Sequence, residues 1–170
     1  SRGQSRIYVE TCPQYLLLDS LAYFRDDLGG QCLTVPPLRT AADCEALWEG
    51  LAGGAIQTVG SDHRGYTLAQ KNGPDQAACP LGMPGVEQRL DLLHHYGVNG
   101  NRMSISRLVA VTATNPALLF GLYPRKGVLM EGADADIVIY DPDRVHTLSL
   151  SQCHGGGDYT PYEGRQVKGG

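Results

Sequence analysis

The stretch AADCEALWEGLAGGAIQTVGSDH (41–63) decides the fold. Its first part, 41–52, spaces Ala42, Leu47, Trp48 and Leu51 so that one helical face can gather them, and Gly53-Gly54 supplies the stop. The part that follows, AIQTVG (55–60), is a short apolar run of the buried-strand kind. Upstream, Ile7, Val9 and Thr11 alternate with Tyr8 and Glu10, which predicts a strand over Ile7–Thr11. Pro13 stops it, because proline cannot donate to a ladder. Strand, helix and strand joined in this order make a βα-type architecture. Residues 61–86 then show no periodicity. Structureless loops beyond about 15 residues are uncommon unless functional or disordered. This one leaves the C-terminal end of a strand, the face on which α/β folds build their sites.

Working outward, residues 14–25 read as a short helical or turn segment, and Gln31–Val35 as an apolar run ended by the extended pair Pro36-Pro37. Residues 86–96 predict a helix with Val86, Leu90, Leu93 and Tyr96 on one stripe and Gly97 as its stop. Residues 104–113 predict another, with Ser104 as N-cap, and Pro116 opens a further helical turn. Strands are expected at 127–132 and 136–140. The tail 151–170 has no periodicity, and no internal repeat is present.

Composition narrows the class. Apolar residues are 42% and charged residues 19% of the 170-residue chain, which suits a globular domain rather than a disordered one. The net charge of −4, without a basic cluster, makes nucleic acid and anionic membrane poor partners. No apolar run approaches the roughly 20 residues of a membrane span. Residues 1–10 lack a signal-peptide core, so a cytoplasmic location is expected. Five cysteines stand far apart without a CxxC pair, which predicts free, mostly buried thiols. Gly (22) and Pro (10) exceed their usual combined share of roughly 12%, as in chains with many shaped loops.

Asp62 is the candidate for chemistry. A carboxylate at a strand's C-terminal end can hold a metal through one oxygen and take a proton from bound water with the other. It can equally cap the turn after the strand. His63, next to it on extended backbone, points the other way. His94 and His95, adjacent on a helix, do not face one ligand together, and predict one partly buried and one exposed ring. His146 and His154 carry no assigned role. Gly82-Met83-Pro84-Gly85 can bring backbone close to a ligand or simply form a turn.

Taken together, VETCPQYLLLD (9–19), VPPLR (35–39), TVGSDH (58–63), GMPGVEQRL (82–90), TNPALLFGLYPRKG (114–127), GADADIVIYDP (132–142) and DYTPYEG (158–164) resemble the hydantoinase/dihydropyrimidinase branch of the amidohydrolases, collinearly over nearly the whole chain. The resemblance implies a (β/α)₈ barrel with a binuclear metal centre, usually zinc, bridged by a carboxylated lysine, and a β-sandwich built from both chain ends. It implies that residues 1–125 are the last βα units of the barrel, with an active-site loop at 61–86. Residues 126–170 would return to the sandwich and begin an oligomerisation tail. Asp62 would ligate one metal and carry the proton from attacking water to the leaving ring nitrogen. Val35 and Leu81 would contact the imide ring through backbone groups.

The departures are specific. Val35 and Leu81 stand where the family has serine and asparagine. Arg64-Gly65 follows Asp62-His63, with Arg64 expected to point away from a cationic centre. This chain has no HxH pair, and a full barrel takes roughly 250 residues. The implied activity is ring opening of a hydantoin, dihydropyrimidine or related cyclic imide or ureide by a homotetramer, with this piece inactive alone. The alternatives are a non-catalytic dihydropyrimidinase-related scaffold, and a dihydroorotase- or allantoinase-like specificity. Gln14-Tyr15, where those enzymes usually carry paired histidines, disfavours the last.

Overall fold

The computed structural model describes residues 7–26, 28–73 and 76–170. Residues 1–6, which belong to the stretch read for a leader, and 74–75 of the long loop lie outside the described residues. The first half is organised by β1 (Glu10–Thr11) and β2 (Thr58–Val59), which run parallel with Glu10 opposite Thr58 and Thr11 opposite Val59. The Val9 carbonyl accepts from the Gln57 and Thr58 amides at 2.9 and 3.3 Å, and the Thr11 carbonyl from the Gly60 amide at 2.9 Å. Both strands are shorter than the expected spans 7–11 and 55–60. Ile7 and Tyr8 are exposed and lie outside the ladder, since alternation supplies the pattern but not the neighbour.

Parallel neighbours need a crossover. Here it contains α1 (Pro13–Leu17) and α2 (Ala41–Gly53). A capping box opens α2: the Thr40 hydroxyl accepts the Asp43 amide at 3.3 Å, and the Asp43 carboxylate accepts the Thr40 amide at 2.9 Å. Gly54 ends it at φ +88°, where a Cβ would be strained. The helix buries Cys44, Trp48 and Leu51, while Ala42 is exposed, so its inner face is rotated from the expected one. The Trp48 indole N–H donates to the Leu16 carbonyl at 3.1 Å and ties α2 to α1. The 14–25 segment is helical as expected, α1 being followed by a 3₁₀ turn over Ser20–Phe24. The apolar run Gln31–Val35 is entered through another, Gly29–Cys32.

The long loop is not wholly without structure. It contains α3 (Leu68–Lys71), opened by a second capping box in which the Thr67 hydroxyl accepts the Gln70 amide. The helix expected over 86–96 starts later, as α4 (Arg89–Leu93), and runs on through a π-helical turn over His94–Asn99. Gly97 is therefore not a stop. A Cβ there would lie 2.5 Å from Met103 Cε, which would have to swing aside, and 3.0 Å from the Trp48 ring, so the position is tightly packed. α5 (Ile105–Val109) begins at Ser104, whose hydroxyl accepts the Arg107 amide at 3.1 Å. A second π-helical turn leads into α6 (Asn115–Leu119), with Pro116 in its first turn.

These helices hold β2 from outside. Arg107 donates to the Leu51 and Ile56 carbonyls at 2.6 and 2.7 Å. Asn115 donates to the Gln57 carbonyl at 2.8 Å and Arg89 to that of Val59 at 3.0 Å. Gln57 and Val59 are two residues apart and so present their carbonyls on one edge.

The C-terminal third departs most from expectation. No strand forms over 127–132 or 136–140 among the described residues. Ile137, Val138 and Ile139 are exposed, the last at 95%. Their pattern suits a strand, but no described backbone pairs with them as a ladder. The tail expected to lack structure instead supplies β4 (Gln166–Lys168), antiparallel to β3 (Val145–Thr147). Leu148, Tyr162 and Val167 from this region share a core with Leu18, Cys32, Met83 and Leu92. His94 is fully buried and His95 half-buried, against the expected partly buried and exposed pair. Both grip Lys168: His94 Nδ1 lies 2.9 Å from its carbonyl, and His95 Nδ1 accepts its amide at 3.0 Å. His94 therefore carries its proton on Nδ1, and His95 does not.

Two outcomes follow from this packing. Gly97→Ala overpacks the Trp48–Met103 contact and lowers stability by about 1–3 kcal/mol, read as a lower urea midpoint with an unchanged slope. Burial and the neighbouring His94 hold the His95 pKa below its ordinary value. The folded chain thus binds this proton less readily than the unfolded one. Stability is full above the unfolded pKa of about 6.5 and falls as pH drops through the folded value. The urea midpoint should decline on acidification across that window, and His95→Ala should flatten the decline.

Candidate active site

β2 ends at Val59, and Gly60-Ser61 leads to Asp62. Asp62 has φ +44°, a left-handed backbone that a non-glycine residue adopts at some cost and that aspartate tolerates better than most. Its side chain is not the cap of this turn. The His63 amide donates to the Ser61 hydroxyl at 3.4 Å, and no donor among the described residues reaches the Asp62 carboxylate. The turn-cap alternative therefore lacks its hydrogen bond.

The carboxylate opens on a cleft of about 440 Å³ lined by Glu10, Cys12, Tyr15, Pro36, Arg39 and Asp62, among others. Glu10 is tucked against β2. The Thr58 hydroxyl donates to it at 3.0 Å, and a Cβ at Gly60 would come within 2.8 Å of its carboxylate, so a side chain there would displace Glu10. Burial, then the charges of Asp62 and Glu10, push the Cys12 thiol up to about 12. Cys12 is thus a neutral wall of the cleft, not a nucleophile. Burial also raises the Tyr15 hydroxyl, which donates to the Pro36 carbonyl at 3.2 Å. Three carboxylates, Glu10, Asp43 and Asp62, against the one guanidinium of Arg39 around this opening favour a cation there.

Asp62 fits a divalent ion as a single ligand, being exposed and uncommitted. Among the described residues no three His, Cys, Asp or Glu side chains converge to hold a metal. This chain's donors therefore form part of such a site, not a closed set.

The other expected site residues are scattered. Val35 and Leu81 are exposed, at 63% and 48%, and neither lines the cleft, although Pro36 and Pro37 beside Val35 do. His63 turns to loop packing, as expected: its Nδ1 accepts the Gly85 amide at 3.2 Å. Arg64 pairs its amide with the Met83 carbonyl at 3.0 Å and lays its side chain over Gly82. His154 pairs with Glu87 at 2.8 Å, and His146 with Asp91 at 3.2 Å. The five cysteines are free, four of them buried.

Lys71 escaped the sequence reading. It is 2% exposed, and its ammonium donates to the carbonyls of Leu33, Pro80 and Gly82 at 2.9, 2.7 and 2.9 Å. The one available signal was the Thr67-x-x-Gln70 capping box, which marks a helix start inside the loop.

Comparison with known proteins gives the geometry a family. Residues 13–167 match the amidohydrolase family. The chain is 43% identical over 166 residues to a D-phenylhydantoinase of Escherichia coli O1:K1 / APEC, a match covering 96% of this chain and 36% of that protein. The structure resembles dihydropyrimidinase from Brevibacillus agri NCHU1002, with a TM-score of 0.91 and 41% identity over 95% of this chain and 36% of that one. It also resembles D-hydantoinase from a Bacillus sp. AR9, with a TM-score of 0.89, 43% identity and the same coverage. The likeness supports an α/β fold of the TIM-barrel type, although no closed barrel forms among the described residues. The chain spans 36% of the length of these relatives. It belongs to the amidohydrolase family, and the relatives it matches are hydantoinases and dihydropyrimidinases.

Proposed function

We propose that this chain supplies the Asp62 side of a metal-dependent hydrolase that opens cyclic amides, namely hydantoin or dihydropyrimidine rings. The observation that carries the reading is the Asp62 carboxylate itself. It stands just past β2 on left-handed backbone, without a donor among the described residues, and faces an acidic cleft. The names of the matched relatives support the substrate class.

A divalent metal, zinc in a binuclear centre on this reading, would be held in part by Asp62, and when bound it supplies Lewis-acid chemistry at the ring carbonyl. The remaining ligands are proposed for the part of the whole protein that corresponds to the rest of the longer relatives. Asp62 acts as general base toward the attacking water, then returns the proton to the ring nitrogen as the C–N bond breaks. Glu10 keeps the opening negative, and the buried neutral Cys12 keeps a competing nucleophile out of reach. Val35 and Leu81, which do not line the cleft themselves, would serve the imide only through backbone groups of the segments that flank it.

On the same reading, residues 1–125 are the last units of a (β/α)₈ barrel, and 126–170 return to a β-sandwich and an oligomerisation tail of a cytoplasmic homotetramer. The bare apolar run Ile137–Ile139 and the groove of about 350 Å³ beside it, lined by Ile105, Val109 and Leu129, support a covered surface there.

Asp62→Gly in the full-length protein separates function from turn capping. Glycine adopts φ +44° freely, so the urea midpoint stays level or rises, while turnover falls by roughly 10²–10⁴-fold. A lower midpoint with turnover intact would return Asp62 to the role of a turn residue. Turnover absent from the wild type, with no bound metal, would favour the scaffold reading. A preference for dihydroorotate or allantoin would move the specificity.

A further inference from the structure

We propose that Lys71 is a positioning residue that sets the width of the cleft beside Asp62, and thereby which ring enters it. The inference rests on the reading that this cleft holds the substrate.

Lys71 closes α3 within the loop that follows Asp62. Its three ammonium donors are all spent, each on a main-chain carbonyl. One acceptor, Leu33, belongs to the segment that runs into Pro36 and Pro37, which line the cleft together with Asp62. The other two, Pro80 and Gly82, flank Leu81. That strip is itself fastened to the residues after Asp62: the Arg64 amide donates to the Met83 carbonyl, and His63 bridges Met83 in parallel. The Gly82 amide adds a direct bond of 2.9 Å to the Leu33 carbonyl. One ammonium therefore joins the Pro36 wall to the backbone that continues from Asp62.

Burying a lysine is costly unless its charge is fully hydrogen-bonded. Here burial alone pushes its pKa down, but three carbonyls can be served only by the charged form. The helix carrying it is fixed independently, by its capping box and by the Leu68 amide, which donates to Asp158 at 2.6 Å. Asp62 is also held from its other side, independently of Lys71. Its strand is held by Arg107, Asn115 and Arg89. Loss of Lys71 should therefore disturb ring binding more than proton transfer.

The test is Lys71→Met and Lys71→Arg in the full-length, metal-loaded protein, assayed for kcat and KM on hydantoin and dihydrouracil alongside the melting temperature. Met leaves the Leu33 carbonyl a second donor, the Gly82 N–H at 2.9 Å, while the single Cys79 S–H lies nearest the residue-71 carbonyl at 3.3 Å, so Pro80 and Gly82 lose their donor. KM should rise on the order of tenfold, the worth of one hydrogen bond to a charged group, with kcat within about threefold and the ratio between the two rings altered. Arg, too long for the three-carbonyl socket, should not restore the wild-type KM. Amide exchange should quicken at 33–35 and 81–83 and stay unchanged at 58–60. Unchanged KM with a lowered melting temperature would overturn the proposal, as would parallel loss of kcat and metal, or failure of both variants to fold. Wild-type turnover tests the underlying reading separately. The amide-exchange comparison decides on Lys71 even if no ring is opened.

Discussion

The parallel register of β1 with β2 is the constraint on which the rest turns. Two residues on each side are paired, Glu10 with Thr58 and Thr11 with Val59. That short ladder brings Glu10 and Cys12 from one strand end beside the Asp62 that follows the other. It is defended from the opposite edge by side chains instead of a further strand in the described residues, with Asn115 and Arg89 satisfying the Gln57 and Val59 carbonyls. Arg107 adds the carbonyls of Leu51 and Ile56, so the joint between α2 and β2 is braced by one guanidinium. Unpaired buried backbone is expensive, which is why three polar side chains are committed to so short a strand.

The same physics explains which parts of the fold were legible in the sequence. The helix at 41–52 was readable because Trp48 and Leu51 at helical spacing and the terminal Gly54 agree, although Cys44 and not Ala42 completes its inner face. The strand end before Asp62 was readable as an apolar run broken by glycine. The β3–β4 pair was not, because three residues are too few to display alternation. The runs at 127–132 and 136–140 failed in the opposite sense. Their residues suit strands, yet Ile139 at 95% exposure has no ladder partner in the described residues. Gly97 shows how one residue type hides two settings: it was read as a helix stop and proves to lie inside a helical turn packed against Trp48 and Met103.

The candidate site divides along the same line. Asp62 could be found locally, since a carboxylate after a strand is a one-dimensional signal. Lys71 could not, because its meaning lies in carbonyls 38, 9 and 11 residues away. The histidines show the same limit: His94 and His95 were read as sharing no ligand, but their common use, holding the backbone of Lys168, lies in non-local partners. Chemistry-bearing side chains in this chain are thus divided between holding backbone and facing the cleft, and only their non-local partners separate the two.

On the proposed reading, Asp62 is a metal-facing carboxylate and not a turn residue. A crystal structure of the full-length protein grown with divalent zinc, with the metal located by its anomalous scattering, tests it most directly. A zinc ion should lie about 2.0–2.2 Å from an Asp62 carboxylate oxygen, with Asp62 still left-handed after β2. A zinc centre formed without Asp62, its carboxylate folded back onto the loop amides, would contradict it.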